Sequence, residues 1–394
     1  MSFFYKIVHN ILRISLTLLF RFFVLFTKVD SKIIIFSSFT GRNISDNPRA
    51  LFEEMKEDKN FSGYRFIWAM KTETEVDGGE VVRYNSLKHY YLLAKAKYWI
   101  FNAKMPPYYY KRKEQVYLQT WHGTPLKHLA HDIKDTGIGY YRSQISYKKM
   151  TKSYDNDSRH WDFLVTANSF SSEAFSSAFK FPKEKMLETG YPRVDRLINT
   201  TQEEAIELKK RYHLPLDKKV ILYAPTWRDN SFKKSGYTFD LKVDFKLWKD
   251  KLAEDYIVLF KPHYLISSSY HHLEYLEDFV YLMEAKADIN DAYLMSDVLV
   301  TDYSSVFFDF ACLNRPIYFY MYDIEEYGQE LRGFYLNIPK DLPQDISKTE
   351  DELLNQILSK SFDFERLKEF NYRFNLWNDG NASKKIIRRI FNEN

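Results

Sequence analysis

Cysteine is almost missing from this sequence. Cys312 is the only one in 394 residues, so no intrachain disulfide staples the fold, and the usage is that of a protein kept in a reducing compartment. No Cys and His spacing suits a zinc site, and no run of aromatics marks an RNA-binding module. With a net charge of only +4, nucleic acid is not an expected partner. Internal repeats and low-complexity tracts are absent too. So is a clean hydrophobic span: the apolar stretch at residues 7–27 is interrupted by Arg13 and Arg21, where a membrane-crossing helix wants roughly 20 apolar residues with few charges.

What is present suffices for a large core. Hydrophobic residues make up 45% and charged residues 28% of the chain, a globular balance, and the length suggests two domains. Aromatics reach 18%, with 31 Tyr and 32 Phe, more than a core alone needs. The excess is expected to line a cleft or to meet a membrane surface, where amphipathic rings are favoured. Lys6, Arg13, Arg21 and Lys28 all precede the first acid, Asp30. Arg13 and Arg21 fall near one helical face, so residues 1–30 read as an uncleaved helix lying in the membrane interface. A transmembrane helix is the alternative; a signal peptide fits less well, because no small-residue cleavage site precedes Asp30.

From Lys32 onward short apolar runs alternate with helical stretches. Strands are expected at 32–39, 64–70, 81–84, 97–103, 115–121, 161–167 and 186–190, then at 219–224, 256–260, 279–283, 297–301 and 316–320. Such alternation implies mostly parallel sheets with helices on both faces. The boundaries follow: a first Rossmann-like domain at 31–200, a second at 201–375, and a C-terminal helix at 376–394. The polar segment 134–160 reads as helix or loop, and Asp155 and Asp157 within it are expected to be solvated.

Three stretches concentrate chemistry at strand ends, where an open α/β sheet binds its ligands. In the first, residues 115–121 run as a strand into His122. Gly123 permits a turn, Thr124 is a good N-cap and Pro125 suits a first helical position, so a helix is expected from Pro125 to about Ile133. His122 would then face a helix N-terminus, either as a catalytic group or as a packing histidine bonded to a carbonyl. In the second, the strand at 256–260 delivers Lys261 and His263. In the third, the strand at 297–301 leads through Asp302 to Ser304 and Ser305, either of which can cap the following helix and offer donors to an anion. Glycine is absent there, so the loop is neither a P-loop nor a dinucleotide fingerprint. Arg228, after the strand at 219–224, is a candidate phosphate ligand. Arg193 and Asp195 are candidates for the cleft edge or for an ion pair with each other.

WHGTPLK at 121–127, GYPRVD at 190–195, YAPTWRD at 223–229, KPHYL at 261–265 and TDYSSVFFDFA at 301–311 together resemble the CDP-glycerol glycerophosphotransferase family of teichoic acid synthesis, over roughly residues 30–385. The resemblance implies a GT-B fold, with the active site between two Rossmann-like domains. It also implies an enzyme on the cytoplasmic membrane face that moves glycerol phosphate from CDP-glycerol to a hydroxyl of a polyprenyl-diphosphate-linked saccharide, releasing CMP. His122 and His263 match the family's catalytic histidines, and the serines of 301–305 match its donor-phosphate site. Substrate contacts are expected from Gly123, Thr124, Arg193, Asp195, Thr226, Arg228, Lys261, Thr301, Asp302, Ser304, Ser305 and Asp309.

The residue chemistry agrees. An attacking alcohol needs a base, and a histidine kept neutral by a helix N-terminus serves as one, here His122. His263, Lys261 and Arg228 would hold the diphosphate. No motif implies a metal; metal-independent chemistry, or a loosely bound Mg²⁺, is expected. The basic and aromatic stretches 105–113 and 127–152 suit anionic lipid headgroups or a diphosphate-linked acceptor. CDP-ribitol in place of CDP-glycerol, or a GT-B glycosyltransferase using a nucleotide sugar, are the alternative readings.

Overall fold

Ile33, Ile34, Ile35 and Phe36 follow one another in β1 (Asp30–Ser37), and all four are fully buried. An unbroken apolar run is what a strand needs when helices cover both faces of its sheet. The computed structural model describes residues 3–135, 145–226, 232–233, 236–237, 241–262, 276, 278–284, 287–325 and 333–392. After α1 (Phe3–Phe26) and β1 come α2 (Asp46–Glu57), β2 (Arg65–Met70), β3 (Glu80–Arg83), α3 (Leu87–Lys95), β4 (Ala96–Phe101) and β5 (Val116–Gln119). Then follow α4 (Tyr147–Ser158), β6 (Phe163–Thr166), α5 (Ser169–Phe179), β7 (Met186–Glu188) and α6 (Pro192–Asn199). The seven strands form one parallel sheet in the order β3-β2-β1-β4-β5-β6-β7.

The second domain begins with α7 (Gln202–Arg211), whose start is fixed by reciprocal bonds between Thr201 and Glu204, a capping box. It continues through β8 (Lys219–Ala224), a small ribbon of β9 (Phe232–Lys233) and β10 (Gly236–Tyr237), α8 (Phe245–Leu252), β11 (Tyr256–Phe260), β12 (Val280–Leu282) and α9 (Ile289–Met295). β13 (Val298–Thr301), α10 (Val306–Ala311), β14 (Ile317–Tyr320), β15 (Ile346–Ser347) and α11 (Glu350–Leu358) complete it. Its sheet is also parallel, in the order β12-β11-β8-β13-β14-β15. The two sheets are wound alike: strand order reverses between β1 and β4 in one and between β8 and β13 in the other. A ligand-binding crevice forms outside the strand ends at such a reversal.

The C-terminal segment is not one helix. α12 (Phe364–Phe374) is followed by α13 (Ala382–Ile387) and a last π-helical turn, Arg388–Asn392, and this end returns to the first domain. The Phe391 ring lies 5.0 Å from Phe61 and 4.2 Å from Tyr98. Asp195 accepts the backbone N–H groups of Ala382 and Ser383 at 2.8 and 2.7 Å, satisfying donors that a helix start leaves open. Asp195 is thus engaged by the C-terminal helix and does not pair with Arg193.

α1 docks by its second half. Phe20 is fully buried, with Leu16, Leu19, Phe23 and Val24 packed around it on the first domain. Tyr90 and Tyr109 meet the Phe20 ring at 6.1 and 5.7 Å, so part of the aromatic excess seats this helix. Arg112 donates to the carbonyls of Val24 and Thr27, a cation at the helix C-terminus. Ile11, Leu12, Leu18, Phe22 and Leu25 remain exposed. No helix among the described residues is long and apolar enough to cross a membrane.

Asp157, expected to be solvated, is buried in α4 behind β5. One of its oxygens faces the Met105 N–H at 3.3 Å and the Tyr117 hydroxyl at 3.4 Å. Burial pushes its carboxyl up to about 7, the Met105 N–H holding it down only in part. The folded chain therefore keeps a proton that the unfolded chain releases near pH ~3.9. The stability this supplies is full below that value and is lost as pH rises through about 7. Denaturant titrations should show the protein losing about 2 kcal/mol between pH 5.5 and 8 from this group, and Asp157→Asn should abolish that difference. Equal slopes in the two proteins would show that the carboxyl ionises freely.

Candidate active site

Beyond β5 the helix expected from Pro125 shrinks to one 3-10 turn at Ala130–Asp132: residues 124–129 are not helical, and Lys127 makes a bridge to Phe334 of the second domain. Cross-domain bonds explain the difference. His128 N–H donates to the Gly333 carbonyl at 3.1 Å and Tyr335 N–H to that of Leu126 at 2.9 Å, so backbone groups that a helix would pair internally are paired with the other domain.

His122 is presented by left-handed backbone. Trp121 has φ +50°, a conformation uncommon outside glycine, and its N–H donates to the Gln119 carboxamide at 3.0 Å. The Trp121 ring, backed by Phe175 and Phe179, stacks on the His122 ring with centroids 4.5 Å apart. His122 Nδ1 lies 2.7 Å from the Asn102 carbonyl oxygen. A carbonyl can only accept, so the proton sits on Nδ1 and Nε2 of the neutral ring keeps its lone pair. Surrounding protein atoms desolvate the imidazole and lower its pKa, with Arg193 adding to the effect; the Asn102 carbonyl and Asp46 oppose it. His122 is nevertheless exposed on the cleft side, so the neutral form expected from a helix N-terminus is favoured here by the protein packed behind the ring and not by a helix.

Asn102 follows β4, and its side chain ties this carbonyl to two loops. Its Oδ1 accepts the Phe39 N–H and its Nδ2 donates to Asp46, both at 2.7 Å. Asp46 also accepts from Arg193 Nη1 at 2.9 Å, while Arg193 Nη2 reaches Asp309 at 2.7 Å. Arg193 belongs to the first domain and Asp309 to α10 of the second. All three are buried. Against the cost of burial, the two carboxylates raise the guanidinium pKa. Burial pushes the Asp309 carboxyl up to about 6, Arg193 pulling it down and Asp46 pushing it up. Asn47 closes the frame: it accepts the Arg193 N–H at 3.1 Å and donates toward the carbonyls of Thr120 and Trp121, each at 3.2 Å.

α10 carries Ser305 to the same place. A Cβ added to Gly123, at φ +151°, would lie 3.1 Å from Ser305 Oγ and 3.5 Å from Arg193 Nη2; glycine is what lets the histidine loop come this close. Ser305 stands at the N-cap position without a side-chain capping bond, and Ser304 Oγ lies 3.5 Å from the Val306 N–H. Both serines are half-buried at the switch point of the second sheet. Behind them Thr301 donates to the Ala224 carbonyl and Asp302 accepts the Thr226 N–H, each at 2.7 Å. Lys261, past β11, donates to the Glu284 carbonyl at 2.5 Å, and burial lowers its pKa to about 8.

Gly123, Ser304, Ser305, Thr226 and Lys261 therefore sit on loops at the cleft side of the two sheets with His122. Arg193, Asp309, Thr301 and Asp302 brace those loops from within, and Thr124 is buried behind them. Arg228 and His263 lie outside the described residues. Sequence reasoning missed Asp46, Asn47 and Asn102. Asn102 directly follows an apolar strand run, the same signal that drew attention to His122. Among the described residues no group of three or more His, Cys, Asp or Glu side chains is placed to hold a metal ion.

The family model for CDP-glycerol:poly(glycerophosphate) glycerophosphotransferases matches residues 19–392. The chain belongs to this family of glycerophosphotransferases. It is 40% identical over 369 residues to a teichoic acid poly(glycerol phosphate) polymerase of Bacillus spizizenii, covering 92% of each chain. With a teichoic acid glycerol-phosphate transferase of Staphylococcus aureus it shares 39% identity, covering 94% of this chain and 95% of the relative. It spans about half the length, 49%, of the polymerase of Bacillus subtilis, again at 40% identity. A teichoic acid poly(ribitol-phosphate) polymerase of Bacillus spizizenii is 27% identical. Among solved structures, a histidine variant of the wall teichoic acid polymerase TagF, soaked with CDPG, superposes with a TM-score of 0.88 at 37% identity, covering 99% of this chain and 97% of that one.

In this glycerophosphotransferase the Asp46–Arg193–Asp309 cluster joins the two halves of the site. Replacing Arg193 with Met leaves two buried carboxylates facing each other. It should destabilise the protein by about 3–5 kcal/mol in urea titrations; a loss below about 1 kcal/mol would mean that water already screens the cluster.

Proposed function

We propose that this protein transfers glycerol phosphate from CDP-glycerol to a hydroxyl of a polyprenyl-diphosphate-linked acceptor, releasing CMP, at the cytoplasmic face of a membrane. The observation that carries this reading is the juxtaposition of His122, with Nδ1 held by the Asn102 carbonyl, and Ser305 at the switch point of the other sheet. The acceptor oxygen attacks the phosphorus that bears glycerol and gives its proton to His122 Nε2. The bond from that phosphorus to the bridging oxygen breaks, and CMP departs with the electron pair. Ser304, Ser305 and Lys261 supply donors for the diphosphate oxygens, whose charge grows as CMP leaves. CDP-glycerol is favoured over CDP-ribitol because identity is 40% to the glycerol-phosphate polymerase and 27% to the ribitol-phosphate one.

CMP release from CDP-glycerol, with a lipid-linked acceptor present, tests the reaction. His122→Ala should lower turnover by about 10²–10⁴-fold while the folded content stays unchanged; full activity would remove His122 from the base role. In the wild type the acid limb of kcat should fall below pH ~6.5, the ordinary histidine value, because desolvation lowers the His122 pKa. A limb above that value would contradict the assignment.

Membrane contact is assigned to α1. Its inner side is docked on the domain while Leu18, Phe22 and Leu25 face outward beside the exposed Arg21, an arrangement suited to the headgroup boundary. Leu18→Glu with Leu25→Glu should abolish cosedimentation with anionic vesicles and leave CMP release from a soluble acceptor analogue intact. Undiminished vesicle binding would move the contact elsewhere.

A further inference from the structure

A buried amide sits directly behind the loop that carries His122. Tyr117 and Gln119 are two residues apart in β5 and so share one side of the strand; both are fully buried. Gln119 Oε1 accepts the Trp121 N–H at 3.0 Å, and Gln119 Nε2 lies 3.1 Å from the Tyr117 hydroxyl and 3.4 Å from the Ala103 carbonyl oxygen. The amide fits this place one way round. A backbone N–H only donates, so the atom facing Trp121 is the oxygen, and the nitrogen faces a hydroxyl and a carbonyl that both accept. The Tyr117 hydroxyl keeps its own proton for Asp157 at 3.4 Å. A chain of buried polar groups thus runs from α4 through β5 to the residue before His122.

Trp121 needs such a partner, because its φ of +50° persists only where the surroundings over-determine it. Gln119 takes its N–H, while Asn47 Nδ2 and the Thr120 hydroxyl each lie 3.2 Å from its carbonyl oxygen. With both ends of the residue held, the indole packs on Phe175 and Phe179, with centroids 5.8 and 4.7 Å away. Its other face meets the imidazole at 4.5 Å, the two planes 25° apart. The Asn102 carbonyl fixes which nitrogen of His122 carries the proton. The indole does something else: it covers one face of the ring and keeps water from it, which disfavours the imidazolium. Charge reaches the ring by another route, from Asp46 of α2 and Arg193 of α6, with Asp309 of α10 behind Arg193.

We infer that Gln119 is a positioning residue for the transfer: its amide locks Trp121 in left-handed backbone, and Trp121 in turn sets the plane and the water exposure of the His122 imidazole. Gln119 is buried behind the loop and acts only through Trp121. The inference rests on the reading of His122 as the acceptor's base. Ser304, Ser305 and Lys261, the donors for the diphosphate, belong to the second domain, so Gln119 bears on proton transfer and not on CDP-glycerol binding.

Gln119→Met keeps the volume and removes both hydrogen bonds. With the full chain and a lipid-linked acceptor, kcat should fall by about 10²-fold, the cost of a misplaced reacting group, while KM for CDP-glycerol stays within about twofold. The acid limb of kcat should move up toward pH ~6.5, the ordinary histidine value, because an imidazole without its indole wall is more easily protonated. An amide that served the fold alone would lower the melting temperature and leave the limb in place. A wild-type kcat, an unmoved limb, or a loss carried by KM for CDP-glycerol overturns the inference. If Gln119→Met melts early, Tyr117→Phe takes its place. Losing the hydroxyl that orients the amide should cost about fivefold in kcat, the worth of one hydrogen bond, and move the limb the same way; wild-type values overturn the inference. Should His122→Ala turn over at the wild-type rate, the base reading falls. NMR titration of the His122 imidazole then decides the positioning by itself: a higher pKa in Gln119→Met supports it, and equal titration curves overturn it.

Discussion

One buried guanidinium sets how the two sides of this cleft face each other. Arg193 leaves the first domain on α6, takes Asp46 with one nitrogen and Asp309 of α10 with the other, and has its own backbone bonded on both sides. Asn47 accepts from its N–H, and Asn290 of α9 donates to its carbonyl at 2.6 Å. A buried cluster of one cation and two carboxylates is not a cheap way to join domains, because desolvation of three charges opposes the attraction. What it supplies is direction. Planar donors and fixed carboxylates accept few relative orientations, whereas the apolar contacts shared between the domains would tolerate sliding.

Orientation matters because each domain holds only part of the chemistry. The first presents an imidazole with its protonated nitrogen tied back; the second presents serines and a lysine around its own switch point. The two sheets have the same winding, so placing them face to face sets one β-sheet reversal against the other. At Gly123 the halves come close, the missing side chain leaving room for Ser305 of the second domain beside Arg193 of the first.

Much of the frame was legible in the sequence because it is carried by local pattern. Apolar runs such as Ile33–Phe36 mark fully covered strands, and every strand expected from such a run is present within a few residues. The strand-end rule placed His122, Lys261 and the Thr301–Ser305 loop on the cleft side. Legibility failed where non-local partners decide. Thr124 and Pro125 have the local chemistry of a helix start, yet backbone bonds to Gly333 and Tyr335 keep the segment out of a helix. Arg193 and Asp195 sit two apart and looked like partners, but their side chains turn to different elements, Asp309 in one case and α13 in the other. Asp157 lies in a polar helix and is buried all the same, since solvation depends on which side of α4 meets β5. None of these outcomes is encoded within a window of a dozen residues.

The backbone around His122 shows why domain contact and histidine geometry cannot be separated. Phe39, Thr40, Asp46 and Trp121 all have φ between +46° and +61°, each costing about 1–3 kcal/mol relative to an ordinary conformation. Such residues persist only where their surroundings over-determine them. Phe39 is held by Asn102 and Trp121 by Gln119, both within the first domain. Asp46 is held by Asn102 and by Arg193, and Arg193 is itself held by Asp309 of the second. Downstream of His122, the chain at Leu126–His128 is bonded to Gly333 and Tyr335. The loop bearing His122 is therefore fixed on its upstream side by a cluster that includes the second domain and on its downstream side by the second domain directly. Parting the domains would release both ends together, so the imidazole keeps its place in the cleft only while the two sheets face each other.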